Sequence, residues 1–361
     1  MEQAIAIGTD PRFAKLQEAI EKGKSSVKAG LESIEKEFQV RKDLFVKPSA
    51  IDYEVSGGAI RPVIQEQPYS LTEHSQGQMF ARVGVPAQFA EKLMDYEEDD
   101  LLRLNLLRMT ERSMDDGAML RTVGEQIKGW LSPAFKRMDA APVIGGFIER
   151  SLKNGMVPYR GMNTDYRYQI AMIWPKVFQP VPNEFVAFGT NLTTGDYGNQ
   201  ALEIDFMALR ITCLNLAVGM DLFRKVHLGS RFATDKEAIE FSKKTLLLDA
   251  KAISSAVGDV VDHAQGEVAR VEKAIDSAHN TVVDKPEKWY ETLKRKGMRK
   301  AVVDQVKSVY ESRLPFETLP QENSIWRLSN AISLVAGGME GDQKINVEKM
   351  AFDVLGLEGG A

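Results

Sequence analysis

A chain of 361 residues with 43% apolar side chains is long enough to bury one large core or two, and its composition is not that of a disordered chain. A net charge of −5 excludes a generally cationic nucleic-acid binder, and the lone Cys213 excludes an internal disulfide or a cysteine-built zinc cage. No stretch approaches the roughly 18 consecutive apolar residues of a membrane span, and Met1 to Pro11 lacks the basic start of a secretory signal, so the expectation is a cytoplasmic protein with no membrane partner.

Thr9-Asp10-Pro11 offers a helix start, and Phe13, Leu16, Ile20, Val27, Leu31, Ile34 and Phe38 recur at helical spacing, which predicts a long helix or a helix pair. Residues 44–70, with Pro48, Gly57-Gly58, Pro62 and Pro68, read as a connector carrying a hairpin. Leu71 to Tyr96 reads helix, turn, helix about Gly84-Val85-Pro86, and a further helix carries Leu101, Leu102, Leu104, Leu106 and Leu107. The character changes near Ala118. Met119–Val123 and Gln126–Leu131 flank Gly124-Glu125 as a hairpin, Pro142–Leu152 reads as a short helix, and Tyr159–Met162 with Tyr166–Trp174 flank the turn Asn163-Thr164-Asp165. Phe185–Leu192 and Ala201–Leu209 are two more strands, so the middle is an antiparallel sheet with helices packed on it. From Thr234, a candidate cap with Glu237, the chain turns helical; Val257, Val261, Ala264, Val268, Val271, Ile275 and Ala278 form a heptad-like seam, and helices follow over 287–312 and 321–337. The fold class expected is α+β: an N-terminal helix and connector (1–70), a core of antiparallel hairpins (71–231) and a helical C-terminal region (232–361).

Charge is partitioned along the chain. Lys and Arg number 12, 16 and 18 against 18, 12 and 21 Asp and Glu in residues 1–100, 101–231 and 232–361, so only the middle is cationic. A polyanion-binding centre with solvating or assembling ends has this pattern.

No phosphate loop, dinucleotide fingerprint or paired histidine motif is present, and no cofactor is expected. Cys213, among Ile211, Leu214 and Leu216, reads as a small apolar residue rather than a nucleophile. Glu203 and Asp205 share a strand face and open a metal-dependent nuclease reading, without a third carboxylate or a lysine nearby in sequence. The hairpin over 159–174 has more chemical content, because Arg160 and Arg167 are interleaved with Tyr159, Tyr166, Tyr168 and Trp174. Cations neutralise phosphates and aromatic faces stack on unpaired bases, the combination that suits single-stranded nucleic acid. Arg121, Lys128, Lys136 and Arg137 extend this surface, and Lys294-Arg295-Lys296-Gly297-Met298-Arg299-Lys300 forms a second basic cluster. Either could instead be a solvated face above a core.

The order of Met119-Leu120-Arg121 through Trp130-Leu131-Ser132 with Phe135 and Asp139, Phe188 to Asn191 with Gly195, Arg210-Ile211-Thr212-Cys213-Leu214-Asn215, and Ser324 to Ser333 resembles the phage- and plasmid-like family catalogued as domain of unknown function nine-three-two. Phe135 replaces the more usual Tyr, and the turn after Gly195 carries an extended Asp-Tyr-Gly-Asn. The resemblance spans roughly residues 70–355 and implies a mobile element in a bacterial host cell. It adds Arg210 and Asn215 as ligand-binding or capping residues. By analogy of fold the hairpins also resemble single-strand annealing proteins. The expectation is a protein that binds single-stranded DNA, assembles into a homo-oligomeric ring or filament and has a single-strand-binding protein as a further partner. The alternative is a non-catalytic factor whose acidic ends bind a host protein.

Overall fold

The computed structural model describes residues 5–6, 13–135, 138–182, 184–198, 200–211, 214–225, 243–312, 319–320 and 322–356. The chain begins with β1 (Ile5–Ala6), the long helix α1 (Ala14–Val40) and β2 (Arg41–Val46). Next come β3 (Ile51–Ser56), β4 (Ala59–Ile64), β5 (Gln67–Pro68), β6 (Ser70–Leu71) and the helices α2 (Glu73–Val83), α3 (Ala87–Asp95) and α4 (Asp99–Ser113). The hairpin β7 (Ala118–Val123) and β8 (Gln126–Leu131) follows, then α5 (Ala140–Lys153) and the strands β9 (Val157–Asn163), β10 (Tyr168–Ile173), β11 (Lys176–Val181), β12 (Glu184–Thr194), β13 (Leu202–Arg210) and β14 (Asn215–Lys225). Six helices complete the described chain: α6 (Lys243–Ala264), α7 (Val268–Asn280), α8 (Pro286–Arg295), α9 (Lys300–Glu311), α10 (Ile325–Gly337) and α11 (Gly341–Asp353). The class is α+β, as the sequence predicts.

The first apolar cluster belongs to residues 51–130. Strands β2, β7, β8 and β6 form one small sheet in that order, β3, β4 and β5 a second, and Tyr53, Leu102, Leu106, Leu120 and Trp130 fill the space under α2 to α4. This core crosses the boundary drawn at residue 70, because β2 pairs with β7 and β6 with β8.

The large sheet is antiparallel and has β12 as its spine. One edge of β12 takes β13; the other takes β10 beside Gly189–Thr194 and β11 beside Val186, with β9, β14 and β1 outside them. Strand alternation divides the side chains between two faces. Tyr168, Ile170 and Met172 with Phe188, Ile204 and Phe206 meet the helices, while Ala171, Ile173, Ala187, Met207 and Leu209 meet Phe13, Leu16 and Ile20 at the start of α1. Helix α1 lies close on β9: a Cβ on Gly161 would stand 2.8 Å from the Val27 Cα, and one on Gly23 would meet the Tyr159 carbonyl. Only glycine at both positions permits that approach.

The seam from Val257 to Ala278 is buried in the main core, with a 3₁₀ turn at Gln265–Glu267 dividing it between α6 and α7. It is therefore packing within one chain. Strands β2, β11 and β14 are additions to the sequence reading, and the Thr234–Glu237 cap lies outside the described residues. Among the described residues, no helix is long and apolar enough to cross a membrane.

Candidate functional site

The basic residues of the middle sort into three environments. The first is a buried ionic network where the two sheets meet. Arg121, with no exposed surface, spans Asp43 with Nε and Nη2 (2.8 and 3.0 Å) and donates Nη1 to the Asp196 carbonyl. The Asp196 carboxylate accepts from Arg41 (2.6 Å) and from the Ala140 amide at the start of α5 (2.8 Å). Burial pushes the Asp196 carboxyl up, against the lowering by Arg41 and Arg121. Beside it Glu37 accepts from Lys128 (2.6 Å), Tyr197 (2.6 Å) and Tyr168 (3.2 Å). Burial raises Glu37, yet these donors outweigh it and the carboxyl sits below its ordinary value. Arg121, Lys128 and Tyr168 are thus held inside the protein rather than presented to a DNA strand.

The second environment is a polar row across the large sheet, closed by α11. Arg160 makes a two-pronged pair with Glu348 (2.7 and 2.6 Å) and reaches Gln169, and Arg167 pairs with Asp342 at 3.1 Å. Burying guanidinium groups in low dielectric demands such partners. Glu203 and Asp205, both on β13 farther along the same row, face Lys349 at 2.5 and 3.3 Å. The lysine that sequence reasoning did not find comes from α11 and takes the position a bound cation would need; no group of three or more metal-ligating side chains occurs among the described residues. Tyr159 is half-buried against α1. Arg210 is buried and holds Glu184 through two bonds (2.5 and 2.7 Å), and Trp326 donates to the same carboxylate. The residue is a tie between β13, β12 and α10. The β13–β14 hairpin places Asn215 opposite Arg210, but the side chain of Asn215, and all of Lys136, Arg137 and Cys213, lie outside the described residues.

The third environment is the surface. Lys294, Arg295, Lys296, Arg299 and Lys300 are all exposed where α8 ends and α9 begins. Lys294 pairs with Glu291 and Lys296 with Asp353, both as solvent-screened surface pairs that hold their cations weakly.

A cleft of about 1080 Å³ separates the two sheets, lined among others by His74, Gln78, Trp130, Thr164, Tyr166 and Asp342. Thr72 caps α2 by accepting from the Ser75 amide (3.1 Å), which fixes His74 in the first turn. The His74 ring stacks on Tyr166 with centroids 4.2 Å apart, and its Nε2 bonds the Tyr197 carbonyl (3.1 Å). Burial lowers the His74 pKa, outweighing that bond and the fields of Asp165 and Asp342. Gln78 joins the walls by donating to the Tyr197 carbonyl and accepting from the Trp130 amide, both at 2.8 Å.

No family model, curated protein or solved structure matches this chain. The likeness to the phage and plasmid family therefore stands as a resemblance of motifs. Its tail motif is structural here: Ser324 caps α10, and Arg327 donates to the carbonyls of Tyr310, Ser312 and Pro320.

Sequence reasoning missed the cleft because its walls come from separate segments spread between Glu73 and Asp342. The one local signal was the extended Asp-Tyr-Gly-Asn turn. Asp196 and Tyr197 prove to be junction residues, and Gly198, at φ +80°, lets the turn sit against Leu131 and Gln78.

Proposed function

We propose that this protein binds single-stranded DNA through the exposed basic turn between α8 and α9. One observation carries the reading: five cations within Lys294–Lys300 face solvent, with no acid among them. By contrast, Arg121, Lys128, Arg160, Arg167 and Arg210 are engaged with carboxylates of the chain itself. The free amides that begin α9 add positive potential at the same turn. Half-buried Trp289 lies in α8 one turn before Thr292, which puts an aromatic side chain on the helix that leads into the basic turn and favours an unpaired base over a duplex. Interaction with a single-strand-binding protein and a role in recombination or replication of a mobile element belong to the same proposal and rest on the family resemblance.

Titrating a labelled thymidine oligonucleotide over a salt series tests it. Replacing Arg295, Arg299 and Lys300 with Ala is expected to weaken binding at least tenfold and to flatten the salt dependence by about 0.7 log unit for each lost contact. Unchanged affinity and slope would transfer the function to the protein-partner alternative.

A further inference from the structure

We propose that the cleft between α2, the end of β8, the β9–β10 turn and the start of α11 is a binding site for a single nucleobase. Its charges nearly cancel: Glu73, Asp165 and Asp342 are balanced by Arg82 and Arg224 in the lining and by Arg167, which pairs with Asp342. A phosphate-rich ligand would face three carboxylates, and a polycation would face three guanidinium groups. A neutral ligand meets neither.

The polar groups call for a ligand with both donors and acceptors. Trp130 is almost wholly buried, lines the cleft, and its indole N–H has no partner; the Thr164 hydroxyl is also without one. A buried donor without a partner is destabilising, so a ligand carbonyl or ring nitrogen that reaches it is favoured there. Burial disfavours the charged form of His74; with its Nε2–H donated to the Tyr197 carbonyl, Nδ1 of the neutral ring is an acceptor for an exocyclic amine. Flat surfaces accompany these groups, because Tyr166 and His74 lie parallel in the wall and Phe135 also lines the cleft. Base edges and base faces match that set; sugars lack the face, and hydrocarbons lack the edge. The volume accommodates a nucleoside with room to spare.

The base can arrive as a free nucleoside or on a strand. Asp342 at one end of α11 lines the cleft and Asp353 at the other end pairs with Lys296, so the cleft and the basic turn lie about 16 Å apart along the helix. The inference does not depend on the basic turn, since a nucleoside carries no phosphate.

The experiment is calorimetric titration of the intact protein with each common nucleoside, together with matched oligonucleotides in which single bases are replaced by abasic sites. Three variants accompany the wild type: His74→Ala, Trp130→Phe, and Gly77→Phe. Gly77 lies in α2 on the cleft wall with nothing within 4 Å of a Cβ, so Phe there fills the cleft without removing a structural bond. Saturable nucleoside binding that falls at least tenfold in Gly77→Phe and in one of the other two supports the site with a free ligand. Discrimination against abasic strands that disappears in the same variants supports it with a strand-borne base. Absence of both effects in folded wild-type protein, or binding indifferent to Gly77→Phe, overturns it.

Discussion

Asp196 shows how the chain spends its charged residues. Its carboxylate is buried between Arg41 and the Ala140 amide, and its carbonyl takes a third bond from Arg121. Removing one partner of a buried pair leaves the other charge uncompensated, a loss of about 3–5 kcal/mol. Asp43→Ala, which orphans Arg121, is therefore expected to lower the urea midpoint sharply, whereas Lys300→Ala should change stability by less than about 0.5 kcal/mol. His74 gives a pH signature. Its native pKa is lowered from 6.5 by burial, so between the two values the unfolded chain binds more protons. The neutral ring's contribution is complete above pH 6.5 and is lost as the pH falls through the native value. Melting temperatures at pH 7.5 and pH 5 should differ less in His74→Gln than in the wild type; the Glu37 contribution is lost only below its ordinary value of 4.5 and does not enter this window. An equal acid shift in both proteins would contradict the assignment. The sequence singles out Arg160 and Arg167 as candidate phosphate contacts, and in the fold they pair with Glu348 and Asp342. It cannot mark Glu348 and Asp342 as their partners, because no local periodicity connects residues 188 and 175 positions apart.

Among the elements, those defined by neighbouring residues were legible. The α1 stripe, the Gly84-Val85-Pro86 break and the hairpins about Gly124 and residues 163–165 all appear where local spacing and turn chemistry place them. Strand β11 was not, since Pro180 interrupts its pattern, and β14 was not, since Gly219 lies within an apolar run that has no alternation. The contact of α1 with β9 also escapes a linear reading. It makes a prediction: Gly161→Ala forces the helix off the strand and should cost about 1–3 kcal/mol, as overpacking does. A variant as stable as the wild type by urea denaturation would show that the two elements are not packed this closely.

For the molecule as a whole, the basis for expecting self-association has moved inward. The α1 stripe and the Val257–Ala278 seam were each too apolar for a solitary surface helix; the seam is buried in the main core of the same chain, and the stripe is buried at Phe13, Leu16, Ile20, Val27 and Ile34 while Phe38 at its end is exposed. Sedimentation of the free protein at micromolar concentration is accordingly expected to give a single 40.2 kDa species, with any assembly appearing only on DNA. A stable ring without DNA would mean that another surface drives assembly. The cationic excess of the middle was likewise legible as a number and illegible as a surface, because pairing consumed it at the junction and under α11. Among the described residues, the α8–α9 turn keeps five exposed cations within seven positions.

The most direct test of that account is to crosslink a 4-thiothymidine oligonucleotide to the intact protein with light and to map the modified peptides by mass spectrometry. The account predicts adducts concentrated in residues 285–307. Adducts concentrated instead in residues 157–173, with 285–307 unmodified, would contradict it and return the DNA to the hairpin.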